Sequence, residues 1–215
     1  MKESTNREKV LKNIRNAMLT DHLENPYPAI DFDQPVFHEI TDSLDIVFAE
    51  ALTNVKGNFI YCIDEQEFAV NLRALISEKQ WYNLFCLEPV LQHLLTEKNV
   101  LFQSSEDNFS EVHAGITSCE YLIARLGSIL VSSAQTRSRR MVVYPPVHIV
   151  VAYTSQLVTD LDQAFARLKE KYQTNFPSQI SLITGPSRTA DIEKTLVMGM
   201  HGPKELYVFL IDDTL

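Results

Sequence analysis

The chain has 215 residues, is 45% hydrophobic and 22% charged, and carries a formal net charge of −9, with a sequence pI near 5.1. That is the composition of a globular domain, long enough to bury roughly 70% of its unfolded surface without disulfide or metal staples. The acidic balance excludes a general nucleic-acid binder, which needs a basic face. The three cysteines, Cys62, Cys86 and Cys119, are far apart, and each sits in a largely apolar run. They read as buried free thiols, with neither a metal centre nor a bound cofactor expected. The stretch MKESTNREKVLKNIRNAML is charged and lacks the apolar core of a secretory signal. No apolar run reaches the about 18 residues of a membrane span. A reducing, cytoplasmic setting without membrane contact is expected.

Residues 2–20 read as a helix, because Val10, Ile14 and Met18 recur on one face. The Pro-rich stretch ENPYPAIDFDQPVFHEI has no helical period and reads as an extended connection. SLDIVFAEALTNVKG is a second amphipathic helix, with Leu44, Val47, Phe48, Ala51, Leu52 and Val55 in one stripe and Gly57 past its end. Strand–helix alternation follows. NFIYCI (58–63) is a strand, and the next helix is capped by Asp64 with Glu67 three residues on. YNLFCL is a strand, and the helix after it has Pro89 in its first turn. EVHAGITSCEYLIARLGSILVSS reads strand–turn–short helix–turn–strand. MVVYPPVHIVVAY reads as two antiparallel strands broken at Pro145-Pro146. TSQLVTDLDQAFARLKEKY is a helix, SQISLITG a strand, SRTADIEKTL a helix and KELYVFLID a final strand. The alternation predicts an α/β fold with an open, mainly parallel sheet carrying helices on both faces, built from 58–63, 82–87, 180–184 and 206–211. Residues 1–57 form a helical N-terminal extension and 58–215 the α/β domain. The extension can pack on the domain or against a second subunit, which leaves a homo-oligomer open.

The stretch ITGPSRTADIEKTL offers the first candidate site. A strand that stops at Gly185 and turns into a helix near Thr189 would aim free N–H groups out of the carboxyl edge of the sheet, where α/β sheets bind ligands. Gly185, Ser187, Arg188 and Thr189 would then hold a small carboxylate or phosphate. The alternative is a well-capped helix start, with Asp191 and Glu193 at its positive end. Arg137, Arg139 and Arg140 form a second candidate, as clustered arginines between strands suit anions; a solvated hairpin tip competes with that reading. His148, between aliphatics on a strand, is either a core histidine or an acid–base group. His201, before Gly202-Pro203, reads as a turn residue. No nucleotide-binding, P-loop, nucleophile-elbow or zinc-protease motif occurs.

The stretches GITSCEYLIARLGSILV, YPPVHIVV, ITGPSRTADIE and GMHGPKELYVFLID occur in the order and spacing of the LUD-domain family, in its lactate-utilisation protein C group. The chain resembles that family over roughly residues 112–212. The resemblance implies a NagB/RpiA/CoA-transferase-like fold. It also implies a role as accessory subunit in L-lactate oxidation to pyruvate, beside iron–sulfur partner proteins, with no cluster of its own. A free-standing enzyme of sugar-phosphate isomerase or acyl-CoA transferase type, or a non-catalytic ligand-binding regulatory module, is the alternative. Where the family usually shows an acidic ETGT, this chain has Arg125, Leu126, Gly127 and Ser128. Arg125 removes a carboxylate nucleophile there and adds a group that can pair with a substrate carboxylate.

Overall fold

The computed structural model describes residues 5–19, 37–105, 109–190, 196–199 and 201–214. The chain divides into two compact units, Met1–Glu39 and Ile40–Leu215. In the first, helix α1 (Asn6–Leu19) opens on a capping box: Thr5 N donates to Glu8 Oε2 at 2.9 Å and Glu8 N to Thr5 Oγ1 at 3.3 Å. Its expected stripe of Val10, Ile14 and Met18 is exposed. The connection expected over 24–40 lies largely outside the described residues.

The second unit begins with α2 (Leu44–Asn54) and continues through β1 (Asn58–Cys62), α3 (Glu65–Lys79), β2 (Leu84–Cys86), α4 (Pro89–Glu97), β3 (Ala114–Ser118), β4 (Tyr121–Ile123) and β5 (Ser128–Ser132). It closes with β6 (Val147–Tyr153), β7 (Leu157–Val158), α5 (Leu161–Tyr172), β8 (Ile180–Ile183), β9 (Arg188–Ala190), β10 (Leu196–Met198) and β11 (Glu205–Ile211). A five-stranded sheet has the order β1-β11-β6-β3-β2, and every pair in it is parallel. A second, four-stranded sheet has the order β7-β4-β5-β8, and β9 and β10 form a separate antiparallel pair. Among the described residues no helix is long and apolar enough to cross a membrane.

The alternation of the central strands sorts side chains onto two faces. Ile149 and Val151 of β6 and Phe209 and Ile211 of β11 meet Phe68 and Leu72 of α3 and Leu91, Leu94 and Leu95 of α4. Phe68 and Phe209 pack edge to face at 5.3 Å. Val150, Ala152, Val208 and Leu210 point the other way. There they meet Phe48 and Leu52 of α2 and Leu122, Ile129 and Val131 of the second sheet. The far face of that sheet carries α5 through Ile123, Leu130, Ala164 and Leu168. The layers therefore run helices, parallel sheet, second sheet with α2, helix. One face of the parallel sheet is covered by helices as expected, and the other mainly by a sheet.

Three expectations are corrected. Residues 180–183 pair antiparallel with β5, with Ile129 opposite Ile183, and so join the second sheet. The helix expected over SRTADIEKTL does not start there, since Arg188–Ala190 forms a strand paired with Leu196–Met198. Residues 141–143 form a turn, with Met141 N bonded to Ser138 O and Tyr144 N to Arg140 O, and make no partner strand for β6. Phe48 and Leu52 of α2 are fully buried in the layer between the sheets, so this helix packs as part of the second unit.

Two tight turns fix α2. Gly127 has φ +59°, and a Cβ there would collide with the backbone of Ala51 and Leu52. Gly185 has φ +73° and lies against the Val55 carbonyl. Both need the left-handed region and close backbone approach, which glycine alone combines cheaply. Gly127→Ala is expected to lower stability by roughly 3 kcal/mol, strain and backbone displacement together. Urea denaturation monitored by circular dichroism measures it, and a loss below about 0.5 kcal/mol would contradict this packing.

Candidate functional site

Strands β2, β3 and β6 lie side by side and all end at one edge, at Cys86, Ser118 and Tyr153. The carboxyl edge of a parallel sheet is where the chain leaves to form loops and helix starts, and a crevice forms there. Here it is a cleft of about 700 Å³, lined by Glu88 and the first two turns of α4, Ser118, Tyr153, and Gln135 and Arg137 from the turn after β5. Pro89 at the first position of α4 forces Glu88 into extended backbone, with φ −91° and ψ 116°. That turns its side chain back onto the end of β3. Ser118 N lies 3.1 and 3.2 Å from the two Glu88 oxygens, and Ser118 Oγ donates to Glu88 Oε2 at 2.5 Å.

A second buried carboxyl, Glu120, sits two residues beyond Ser118. It accepts from Ser132 Oγ at 2.5 Å, Tyr172 OH at 2.5 Å and Lys171 Nζ at 2.7 Å. An ammonium and two hydroxyls compensate its charge. Glu88 is 6% exposed, and among the described residues its carboxyl has only the amide and hydroxyl of Ser118. Burial pushes the Glu88 carboxyl up to about 7; hydrogen bonds from Ser118 oppose the rise and the Glu120 charge adds to it. Gln135 Nε2 donates to Ser118 Oγ at 3.0 Å and to the Cys119 carbonyl at 2.7 Å. A carbonyl only accepts, so this amide cannot be flipped. At the rim, Tyr153 OH donates to Glu65 Oε1 at 3.1 Å, and His93 faces Glu97 at 3.3 Å. Arg137 adopts φ +50°, uncommon for a long side chain, and its guanidinium has no hydrogen bond or ion pair among the described residues.

The residues singled out in the sequence are dispersed. Of the arginine cluster, Arg137 lines the cleft, Arg139 reaches Ser178 Oγ at 3.0 Å, and Arg140 lies over the rings of Phe109 and Tyr144, at 4.6 and 5.2 Å. His148 is fully buried, with Nε2 2.8 Å from Thr117 Oγ1; burial drops its pKa to about 4, which keeps it neutral. It does not line the cleft. Arg125 is half-buried in the 3-10 turn Ala124–Leu126, which packs on α2, and it too is absent from the cleft lining. The turn at Gly185, Ser187, Arg188 and Thr189 lies elsewhere again. Ser187 N bonds to Pro203 O at 2.8 Å, and Lys204 N to Pro146 O at 2.7 Å. Lys204 and Pro146 directly precede β11 and β6, so this turn sits by the amino edge of the parallel sheet. The physical argument for an anion there required a helix start at the carboxyl edge, and the structure provides neither. The thiols of Cys62, Cys86 and Cys119 are free and buried. Among the described residues no group of three His, Cys, Asp or Glu is placed to hold a metal ion.

Glu88, Ser118 and Gln135 escaped the sequence reading. Their signal was an acid followed by Pro directly after a wholly apolar strand, which places a carboxyl at the carboxyl edge of a parallel sheet. The raised Glu88 pKa makes a prediction with a definite sign. The folded state holds the proton more tightly than the unfolded chain. The stability Glu88 contributes is therefore complete below about pH 4.5 and is lost as pH rises through about 7. The loss is on the order of 3 kcal/mol. In Glu88→Gln, stability should gain on wild type between pH 5 and pH 8, by urea denaturation at each pH. A constant difference would mean that Glu88 ionises normally.

A family model described as the LUD domain matches residues 47–211. Lactate utilization protein C of Bacillus licheniformis is 32% identical over 105 residues, 48% of this chain and 44% of that protein. Lactate utilization protein C of a Geobacillus species is 34% identical over 109 residues, covering 49% and 45%. An uncharacterized protein of Neisseria meningitidis serogroup B is 34% identical over 103 residues, covering 48% and 44%. The chain spans about half the length of the curated relatives it matches. The crystal structure of a DUF162 family protein from Deinococcus radiodurans superposes with a TM-score of 0.57 at 15% identity, over 78% of this chain and 96% of that one. That likeness concerns the fold alone, whereas the family model spans most of the chain: the chain belongs to the LUD-domain family.

Proposed function

We propose that the chain serves in lactate utilisation, as an accessory subunit of an iron–sulfur L-lactate oxidation system, and that it holds a small monocarboxylate in the cleft at the carboxyl edge. The relatives named lactate utilization protein C support the process. The observation that carries the ligand is the cleft itself, lined both by an arginine that has no partner among the described residues and by a protonatable buried acid. Arg137 offers forked donors to a carboxylate. The remaining charge in the lining is acidic, from Glu65, Glu88 and Glu97. That balance favours a singly charged acid over a phosphate ester, which would bring about twice the charge against one arginine.

Calorimetric titration of L-lactate, pyruvate and a sugar phosphate into wild type and Arg137→Ala tests the ligand. One of the two monocarboxylates should bind, and Arg137→Ala should weaken it roughly 10- to 100-fold, the cost of one charge-assisted contact. Preference for the sugar phosphate would replace this reading with that of a free-standing isomerase-type enzyme. Co-elution with a cluster-bearing partner on co-expression tests the subunit role, and a chain that turns over substrate alone would overturn it.

A further inference from the structure

The cleft contains an acid that is buried, is unpaired by any cation among the described residues, and is joined to the hydroxyl that faces the ligand space. We propose that the cleft takes up its monocarboxylate together with one proton, which Glu88 holds, and that this proton turns Ser118 into a donor to the ligand. The inference rests on the ligand reading above and adds how the site accommodates the charge.

The geometry separates the acids. Glu65 is held by Tyr153 OH at 3.1 Å, with Lys98 Nζ at 3.9 Å. Glu97 is exposed and faces His93. Glu120 has Lys171, Tyr172 and Ser132. Among the described residues, the Glu88 carboxyl has Ser118 alone. The other groups near it are the thiols of Cys86 and Cys119, which burial holds protonated, and Arg137 lines the same cleft. An incoming carboxylate adds a negative charge to this set, and the acid with the weakest compensation is the one that takes up a proton.

The hydrogen-bond count at Ser118 gives that proton a consequence. With Glu88 ionised, the single Ser118 hydroxyl hydrogen points at Glu88 Oε2, and its lone pairs face Gln135 and the cleft, which opposes an anion. With Glu88 protonated, the carboxyl donates to Ser118 Oγ. Gln135 Nε2 already donates to the same oxygen at 3.0 Å. Both lone pairs are then filled, and the hydroxyl hydrogen is released to point into the cleft. One proton thus removes a like charge and reverses one hydrogen bond, and both changes favour a carboxylate.

The experiment is calorimetric titration of L-lactate and pyruvate between pH 6 and pH 8.5, repeated at pH 8 in buffers of different ionisation enthalpy. For the acid that binds, wild-type affinity should fall about 30-fold over that range, with close to one proton taken up per ligand at pH 8. Glu88→Gln keeps a neutral donor to Ser118 and should bind within about threefold of the wild-type pH 6 value at every pH, without proton uptake. His93 persists in this variant, so a pH dependence due to His93 would survive there. Ser118→Ala should bind roughly tenfold more weakly at pH 6. Proton uptake by wild type is read without any variant, and circular dichroism checks that the variants fold. Binding with no proton uptake, or a pH slope that persists in Glu88→Gln, would overturn the inference while leaving the ligand reading intact. Failure of both acids to bind at every pH would overturn the two together.

Discussion

The structure depends on one apolar layer that two sheets share. The parallel sheet covers one face with α3 and α4 and gives the other to the second sheet and α2. Phe48 and Leu52 of α2 have no exposed surface, so the helix is a wedge in that layer and not an appendage. A wedge between two backbones leaves no room for side chains where the turns cross it. Gly127 and Gly185 mark those crossings, both with positive φ and both against α2. The same layer brings the turn after β5 across the ends of β3 and β6, where Gln135 bonds Ser118 and Cys119. The cleft is therefore walled by strand ends of the parallel sheet and, on another side, by the turn that follows β5 of the second sheet.

Two buried carboxyls stand within a few residues of this edge and meet different fates. Glu120 is compensated by Lys171 and two hydroxyls, a network that ties the turn after β3 to α5. Breaking such a network leaves a buried charge alone, which is why its members act as a unit. Among the described residues Glu88 has neutral donors only, and its preference for the proton follows from burial that no cation offsets. The fixed charge of Glu120 contributes by adding to the cost of ionising its neighbour. A site that needs one acid charged and one poised can be made from two glutamates whose surroundings differ.

The process proposed for the chain comes from the names of its relatives, and the cleft comes from its own geometry. Neither the buried His148 nor the aromatic-stacked Arg140 offers a comparable place, because each is already occupied by core or ring contacts.

Much of the architecture was legible in the residues. The strand–helix alternation located β1, α3, β2, α4 and β11, since apolar period and capping residues are local: Asp64 accepts from Glu67 N at 2.7 Å as its spacing implied. The resemblance of four stretches led to the family. Pairing was not legible, because the short run ISLI says that a strand forms but not which strand receives it. Its partner β5 lies 48 or more residues away. The turn GPSRTA reads as a helix start by composition, yet Ser187 gives its N–H to Pro203 and its carbonyl to Gly199, and the ladder to 196–198 prevails over local propensity. The site was hidden for the same reason. Glu88, Ser118 and Gln135 are separated by 30 and 17 residues, and no spacing rule joins them. The sequence by itself determined the strands and helices whose signals are local, β1, α3, β2, α4 and β11, and which acids exist. Only the tertiary structure decided which sheet edge is open and which acid is left without a cation, because both depend on contacts between residues distant in the chain.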